Sequence, residues 1–265
     1  MFGGSPDSFR VSPEFTALVS AAGITARGIF SDPRIKVWRK VDDRENATLD
    51  VPVAGGGTVR FHIKRYIGGT NLILPHRAEV RGSLAMQIEK IPTAPMVGYG
   101  RLSDRRCFTI FMDLKGYTPA DKLVEAGTAF ETLLIATADL AAKLHNAGLH
   151  HRDLYLCHFM AKVDGEGDQP KVDVRLIDVA RVGRLSFVFT RRRWIIKDLA
   201  QFWFSTMSLP ISDEQRERWL ARYAEQRGVR AENLLAPIKR KAAGIAKHDA
   251  RLKEKQPGRN VSIPA

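Results

Sequence analysis

The chain has 265 residues, with 42 Lys+Arg against 29 Asp+Glu, a formal net charge of +13, 44% apolar residues and two cysteines. This apolar content is too high for a disordered polymer, and no apolar run reaches the ~18 residues that a bilayer crossing needs, so one large soluble domain or two small lobes are expected. Cys107 and Cys157 cannot build a disulfide framework, and Met1-Phe2-Gly3-Gly4-Ser5-Pro6 lacks a basic segment leading into an apolar stretch. The expectation is therefore a reducing, cytoplasmic setting without a signal peptide. The cation excess calls for an anionic partner: nucleic acid, an anionic membrane surface or a phosphate-rich substrate.

Residues 34–41 alternate charge with Ile35, Val37 and Val41 and predict an edge strand, followed by a polar stretch. Val51 to Val53 and Val59 to Tyr66 predict two strands joined by Ala54-Gly55-Gly56-Gly57-Thr58, since glycine supplies the positive φ of a tight turn. Pro75 suits a first helical position, and Val80, Leu84, Ile88 and Ile91 recur at helical spacing before Pro92. Tyr99 to Arg101 and Cys107 to Leu114 predict two further strands, with Gly116 and Pro119 marking the exit.

The strongest helical signal runs through Phe130, Leu133, Leu134, Thr137, Ala138, Ala141, Leu144 and His145 and stops at Gly148. Two short strands, Phe159 to Val163 and Val172 to Ile177, flank the turn residues Asp164 to Pro170. Helices are expected from Trp194 through Phe202, from the Ser212-x-x-Gln215 capping box to Gly228, and from Leu234 to about Leu252, with Gln256 to Ala265 as a disordered tail. The fold class is α+β: an antiparallel sheet with one helix, then a mainly helical half. The expected divisions are an extension over 1–33, a first lobe over 34–115, a second over 116–235, and a basic helix and tail over 236–265.

Immediately after the strong helix comes His151-Arg152-Asp153, between a helix and a predicted β-hairpin. That placement resembles the catalytic loop of protein kinases, in which the Asp accepts the proton of the attacking hydroxyl. Asp178 ends the apolar strand on the far side of the hairpin, the place of a metal-binding Asp. Upstream, Lys64 lies in the third strand and Glu79 on the following helix, the order of the ion pair that positions the α- and β-phosphates of ATP. Met112-Asp113-Leu114-Lys115 ends a strand ahead of the helical half, so the backbone of Asp113, Leu114 and Lys115 is where an adenine edge would hydrogen-bond.

The runs 151–160 (HRDLYLCHFM), 176–181 (LIDVAR) and 197–202 (KDLAQF) together resemble the lipopolysaccharide kinase family of bacteria. The resemblance covers about residues 34 to 225 and implies a two-lobed protein-kinase-like fold phosphorylating heptose or 3-deoxy-D-manno-octulosonic acid (Kdo) of the inner core. It implies Asp153 as catalytic base within the loop His151-Arg152-Asp153, Lys64 as the nucleotide lysine with Glu79 as partner, and Asp178 as metal ligand. Asp198 would hold the catalytic loop by hydrogen bonds to its backbone. ATP and Mg²⁺ are the implied cofactors.

Two departures carry physical weight. No glycine-rich loop lies between the first two strands; the stretch is Asp42-Asp43-Arg44-Glu45-Asn46-Ala47, where Arg44 would have to contact phosphate in its place. Where protein kinases carry a metal-binding Asn, five residues after Asp153, stands His158, which suits Mn²⁺ better than Mg²⁺ or else serves as a hydrogen-bonding scaffold. The segment from Asp178 to Asp198 is short and disfavours a protein acceptor. Alternatives are a kinase of the same fold acting on a protein or small molecule, and a pseudokinase; specific nucleic-acid binding is not expected, and neither is an oligomer beyond the monomer.

Much of the charge falls in two stretches. Arg181, Arg184, Arg191, Arg192, Arg193 and Lys197 lie within 179–197 with no acid, around Phe187, Val188 and Phe189, and a second cluster lies within 236–265. The reading is a surface for an anionic, lipid-linked glycan acceptor, with peripheral association at the inner face of the cell membrane.

Overall fold

In the computed structural model, residues 6–53, 55–68, 75–165, 170–185 and 188–255 are described, with the side chains of 188 and 189 excepted. The expected tail over 256–265, the centre of the 164–170 turn, and the side chains of Phe187, Val188 and Phe189 lie outside them. The chain divides into two compact units. One runs up to Leu84 and adds Ala94–Lys115; the other combines Ala85–Thr93 with the chain from Gly116 onward.

The first unit is built on a six-stranded antiparallel sheet in the order β1-β5-β6-β4-β3-β2, with β1 Ser8–Val11, β2 Lys36–Val41, β3 Arg44–Pro52, β4 Thr58–Tyr66, β5 Met96–Arg101 and β6 Cys107–Met112. The polar stretch after residue 41 is not a loop. β3 begins at Arg44 because Ala47, Leu49 and Val51 are buried at every second position, while the intervening residues keep a half-polar face. β3 and β4 pair without interruption from Arg44↔Tyr66 to Pro52↔Thr58, and Gly55, Gly56 and Gly57 all take positive φ in their turn. On β4 the same alternation buries Phe61 and Ile63 and turns His62 and Lys64 to the opposite face.

Residues 6–33 correct the expectation of a separate extension. They supply the edge strand β1 and two short helices, α1 Thr16–Ala21 and α2 Gly28–Ser31, and Val19, Ala22, Ile24 and Ile29 of the helices and their connection join Leu49, Phe61, Phe108 and Ile110 in one core. Arg65 is buried beneath them, donating from Nη1 to the Ile29 carbonyl (3.0 Å) and pairing through Nη2 with Glu45 (2.9 Å). The crossing helix α3 is His76–Ile88 and carries Glu79 in its first turn.

The second unit opens with β7 Thr118–Pro119 and α4 Ala120–Glu125, which no periodicity announces, and continues in α5 Phe130–Asn146. Every residue of the expected apolar face of α5 is buried. After β8 Leu149–His150, strands β9 Phe159–Asp164 and β10 Lys171–Leu176 form the hairpin, and β11 Gly183–Arg184 pairs back onto β8. α6 Val188–Thr206, α7 Asp213–Arg227 and α8 Glu232–Lys255 complete the unit. The capping box of α7 forms as expected, with Ser212 and Gln215 bonded to each other's backbone N–H. α8 begins before residue 236 and packs on α6, so the basic C-terminal helix belongs to this unit. Its core is an aromatic stack: Phe202 on Trp219 at 3.8 Å between centroids, then Tyr223.

Candidate active site

The loop 151–158 lies against one stripe of α6. Asp198, fully buried, accepts from the backbone N–H of His151 (2.6 Å) and of Arg152 (2.7 Å). One and two turns on, Gln201 accepts from the Leu154 N–H (3.2 Å) and Ser205 from the Leu156 N–H (2.8 Å). Four backbone donors of an irregular buried loop, which would otherwise go unpaired, are thus met by side chains at helical spacing. Arg152 takes φ +70° and Asp178 φ +61°, left-handed conformations that cost a non-glycine residue of order 1–3 kcal/mol and persist only where the surroundings hold them.

The Asp198 carboxylate can only accept, so His145 donates to it from Nε2 (3.2 Å) and takes the Tyr223 hydroxyl on Nδ1 (2.7 Å). Burial alone would push the Asp198 carboxyl up; His145, with the His151 and Arg152 N–H groups, holds it below its ordinary range. The reverse holds at Asp153. Burial raises its pKa, Asp178 adds to the rise, and Arg181 opposes it. Arg181 donates from Nη1 to Asp153 Oδ1 at 2.9 Å, and Gln201 Nε2 approaches the same oxygen at 3.5 Å.

His151 and Arg152 do not reach the reacting centre. His151 is fully buried and kept neutral, its pKa lowered to about 4 by desolvation; the Arg152 guanidinium lies over the Trp194 ring, 4.6 Å from its centroid. Burial and stacking engage both side chains within the loop's surroundings. At His158 the Asp153 carbonyl is an obligate acceptor, so Nδ1 donates to it at 2.6 Å, while Nε2 stands 3.9 Å from Asp178 Oδ2. Burial disfavours the His158 imidazolium, but Cys157, Asp178 and the Asp153 carbonyl outweigh it and raise the pKa to about 9. The Nδ1 contact is the hydrogen bond that the scaffold reading of His158 calls for.

In the first unit Lys64 and Glu79 form an ion pair, with Glu79 1% exposed. The Asp113 N–H is already given to the Arg60 carbonyl (3.0 Å) and its carboxylate bonds His62 Nε2 (2.8 Å). Of the Asp113 backbone, the N–H is thus taken within the sheet, and the expectation for adenine rests on its carbonyl. Leu114 and Lys115 make no backbone hydrogen bond among the described residues. Between β2 and β3 the turn is Asp42-Asp43, two carboxylates where phosphate would have to approach, and Arg44 is a β3 residue opposite Tyr66.

Residues 104–223 match the family model described as Lipopolysaccharide kinase (Kdo/WaaP) family. The chain is 34% identical over 87 residues to the lipopolysaccharide core heptose(I) kinase WaaP of Escherichia coli K12, covering 33% of this chain and 31% of that protein. To the protein of the same name from Pseudomonas aeruginosa it is 32% identical over 91 residues, 34% of this chain and 33% of that one. The matched stretch thus spans about a third of the curated relatives. A solved structure described as WaaP in complex with acyl carrier protein superposes with a TM-score of 0.67 at 24% identity, covering 89% of this chain and 98% of the other, and shows the shared fold.

Within the matched residues lie both carboxylates Asp153 and Asp178 and the whole α6 stripe. Arg181, Gln201 and Ser205 were not singled out from sequence. The only available signal for Gln201 and Ser205 was their offset of three and seven residues from Asp198; for Arg181 there was none, since a single cation after a turn says nothing about its partner.

Proposed function

We propose that the chain transfers the γ-phosphoryl group of ATP to a hydroxyl of a lipopolysaccharide inner-core sugar, heptose or Kdo. The observation that carries this reading is the loop clamped by Asp198, which leaves Asp153 on a fixed backbone with a raised pKa and a single guanidinium partner. Asp153 accepts the proton of the sugar hydroxyl as its oxygen bonds to the γ-phosphorus, while the bond from that phosphorus to the β,γ-bridging oxygen breaks and ADP leaves. Lys64, held by Glu79, binds the α- and β-phosphates. Leu114 and Lys115 take the adenine edge through their free backbone groups. Arg181, beside Asp153, faces the charge that develops on the transferring group.

Among the described residues no three His, Cys, Asp or Glu side chains converge on a metal cage. Mg²⁺ is held through one or two carboxylates plus substrate phosphates and retains water, and Asp178 is the hard carboxylate that fits it. When bound, the ion would neutralise the β- and γ-phosphate oxygens. His158 fixes the loop by its bond to the Asp153 carbonyl.

The acceptor class rests on charge. α6 has no acid in its first turn and exposes Arg191, Arg192 and Arg193 near its N-terminus, so guanidiniums and helix dipole add to one positive field. No helix among the described residues is long and apolar enough to cross a membrane. An anionic glycolipid met at the inner face of the cell membrane, without a spanning segment, fits both observations.

The test is transfer of label from γ-labelled ATP to lipopolysaccharide core fragments ending in heptose or in Kdo. Label in one fraction is expected, falling about 10²–10⁴-fold in Asp153→Asn with nucleotide binding unchanged. Label in neither fraction but in protein would overturn the sugar acceptor. The acidic Asp42-Asp43 turn favours a second reading, a pseudokinase; nucleotide binding without transfer, indifferent to Asp153→Asn, would select it.

A further inference from the structure

Away from the residues assigned above, the first unit holds an open cavity of about 450 Å³ where the first turns of α3 meet β1 and β5. Arg10, Arg77, Arg81 and Arg101 surround it, with His76 and Tyr99, and no acidic residue lines it. Among the described residues none of these four guanidiniums makes an ion pair; Arg10, Arg77 and Arg81 are exposed and Arg101 half-buried.

Four permanent cations around one recess repel each other and gain nothing from the fold as it stands. His76 is the second, independent sign. It is 5% exposed, belongs to the cavity wall, and its Nδ1 is buried without a hydrogen-bond partner. Desolvation first, then the charges of Arg77 and Arg101, lower its pKa to about 4, so at neutral pH it offers one N–H donor or one lone pair, not a further charge. The recess therefore combines several forked donors with a buried ring nitrogen, the set that a tetrahedral oxyanion uses and that an apolar ligand does not.

We propose that this cavity is a binding site for a phosphate-type anion, inorganic phosphate or the phosphomonoester of a sugar, separate from the nucleotide residues. The argument uses the first unit alone and stands whether or not the chain is a sugar kinase. The anion bridges α3 through Arg77 and Arg81 to the sheet edge through Arg10 and Arg101, and so ties down the helical turn that also carries Glu79.

The experiment is the melting temperature and calorimetric titration of the full chain, free of nucleotide, with inorganic phosphate and separately with glucose 6-phosphate, chloride serving at matched ionic strength. A saturable rise in melting temperature is expected with phosphate and not with chloride. In Arg77→Gln/Arg101→Gln, where one exposed and one half-exposed side chain are replaced without touching the core, affinity should fall at least tenfold while the basal melting temperature holds. Lys64→Ala should bind phosphate as the parent does. A rise equal in chloride, or one that survives in the double variant and disappears in Lys64→Ala, would overturn the site. The ratio of affinities for phosphate and for glucose 6-phosphate then tells a free anion from a phosphorylated sugar.

Discussion

Asp153 has one strong protein partner, Arg181, and that guanidinium is half exposed, so it can be removed without disturbing packing. Arg181→Ala should lower kcat by about tenfold to a hundredfold, the size of a single electrostatic contact made at the transferring group, and leave the KM for ATP nearly unchanged. Steady-state kinetics with varied ATP distinguish this from a role in nucleotide binding, in which KM would move instead. Three buried imidazoles, His151 among them, give a separate, acid-side prediction for stability. His76, near Arg77 and Arg101, and His150, stacked on Trp194 at 5.0 Å with Arg152, Lys197, Asp198 and His145 around it, have pKa values lowered by desolvation from 6.5 to about 4. Between those values the unfolded chain binds protons that the folded chain does not, so stability is full above pH 6.5 and declines as the pH falls toward 4, by about 3 kcal/mol for each group. Urea unfolding at pH 7.5 and 4.5 measures the loss, and His150→Phe, which keeps a ring against Trp194, should remove that one group's share of it. The Lys64–Glu79 ion pair was readable from sequence because the order of strand Lys and helix Glu along the chain is itself the signal. Arg181 and the His158 contact were not, because each depends on which backbone folding brings opposite the side chain.

Elements divide in the same way. α5 and the α7 capping box were legible because their pattern repeats over several turns or closes within four residues. β3 was hidden by its polar face, and β1 by its length. β1 docks on β5 where Gly98 and Gly100 leave room: a Cβ on Gly98 would sit 2.6 Å from the Arg10 carbonyl oxygen, and one on Gly100 would strike that of Ser8. Gly100→Val should therefore cost about 1–3 kcal/mol and release the N-terminal strand, read as early protease cleavage ahead of Lys36 with the rest of the chain intact. α6 shows the converse, a helix whose start carries no signal because Arg191, Arg192 and Arg193 oppose the dipole, yet whose middle holds the loop. Asp198→Asn keeps the shape but turns an N–H₂ toward a backbone N–H and leaves His145 without its carboxylate. A loss of about 3–5 kcal/mol in urea unfolding is expected, with transfer abolished even where the protein remains folded. Gln201→Met, which removes only the Leu154 acceptor and the weak approach to Asp153, should slow transfer with a much smaller change in stability.

For the molecule as a whole, the net charge of +13 is carried as surface fields and not as core ion pairs. The exposed arginines of α6 and the lysines and arginines of α8 belong to the same unit, with Arg192 Nη2 already reaching the Asn233 carbonyl at the start of α8 (3.3 Å). A cation near an anionic lipid surface contributes about 1 kcal/mol, and the attraction decays over a Debye length of about 10 Å at 0.1 M salt. Replacing Arg191, Arg192 and Arg193 together by Ala should therefore weaken partitioning onto vesicles of mixed neutral and anionic lipid by about a hundredfold. Raising salt from 0.05 to about 0.5 M should weaken the parent comparably and the triple variant much less. Sedimentation of the chain with such vesicles across a salt series measures both. Because these side chains are exposed, the melting temperature should not move, and transfer to a soluble core oligosaccharide should fall far less than transfer to intact glycolipid. Equal losses on both acceptors would place the three arginines at the sugar and not at the lipid surface.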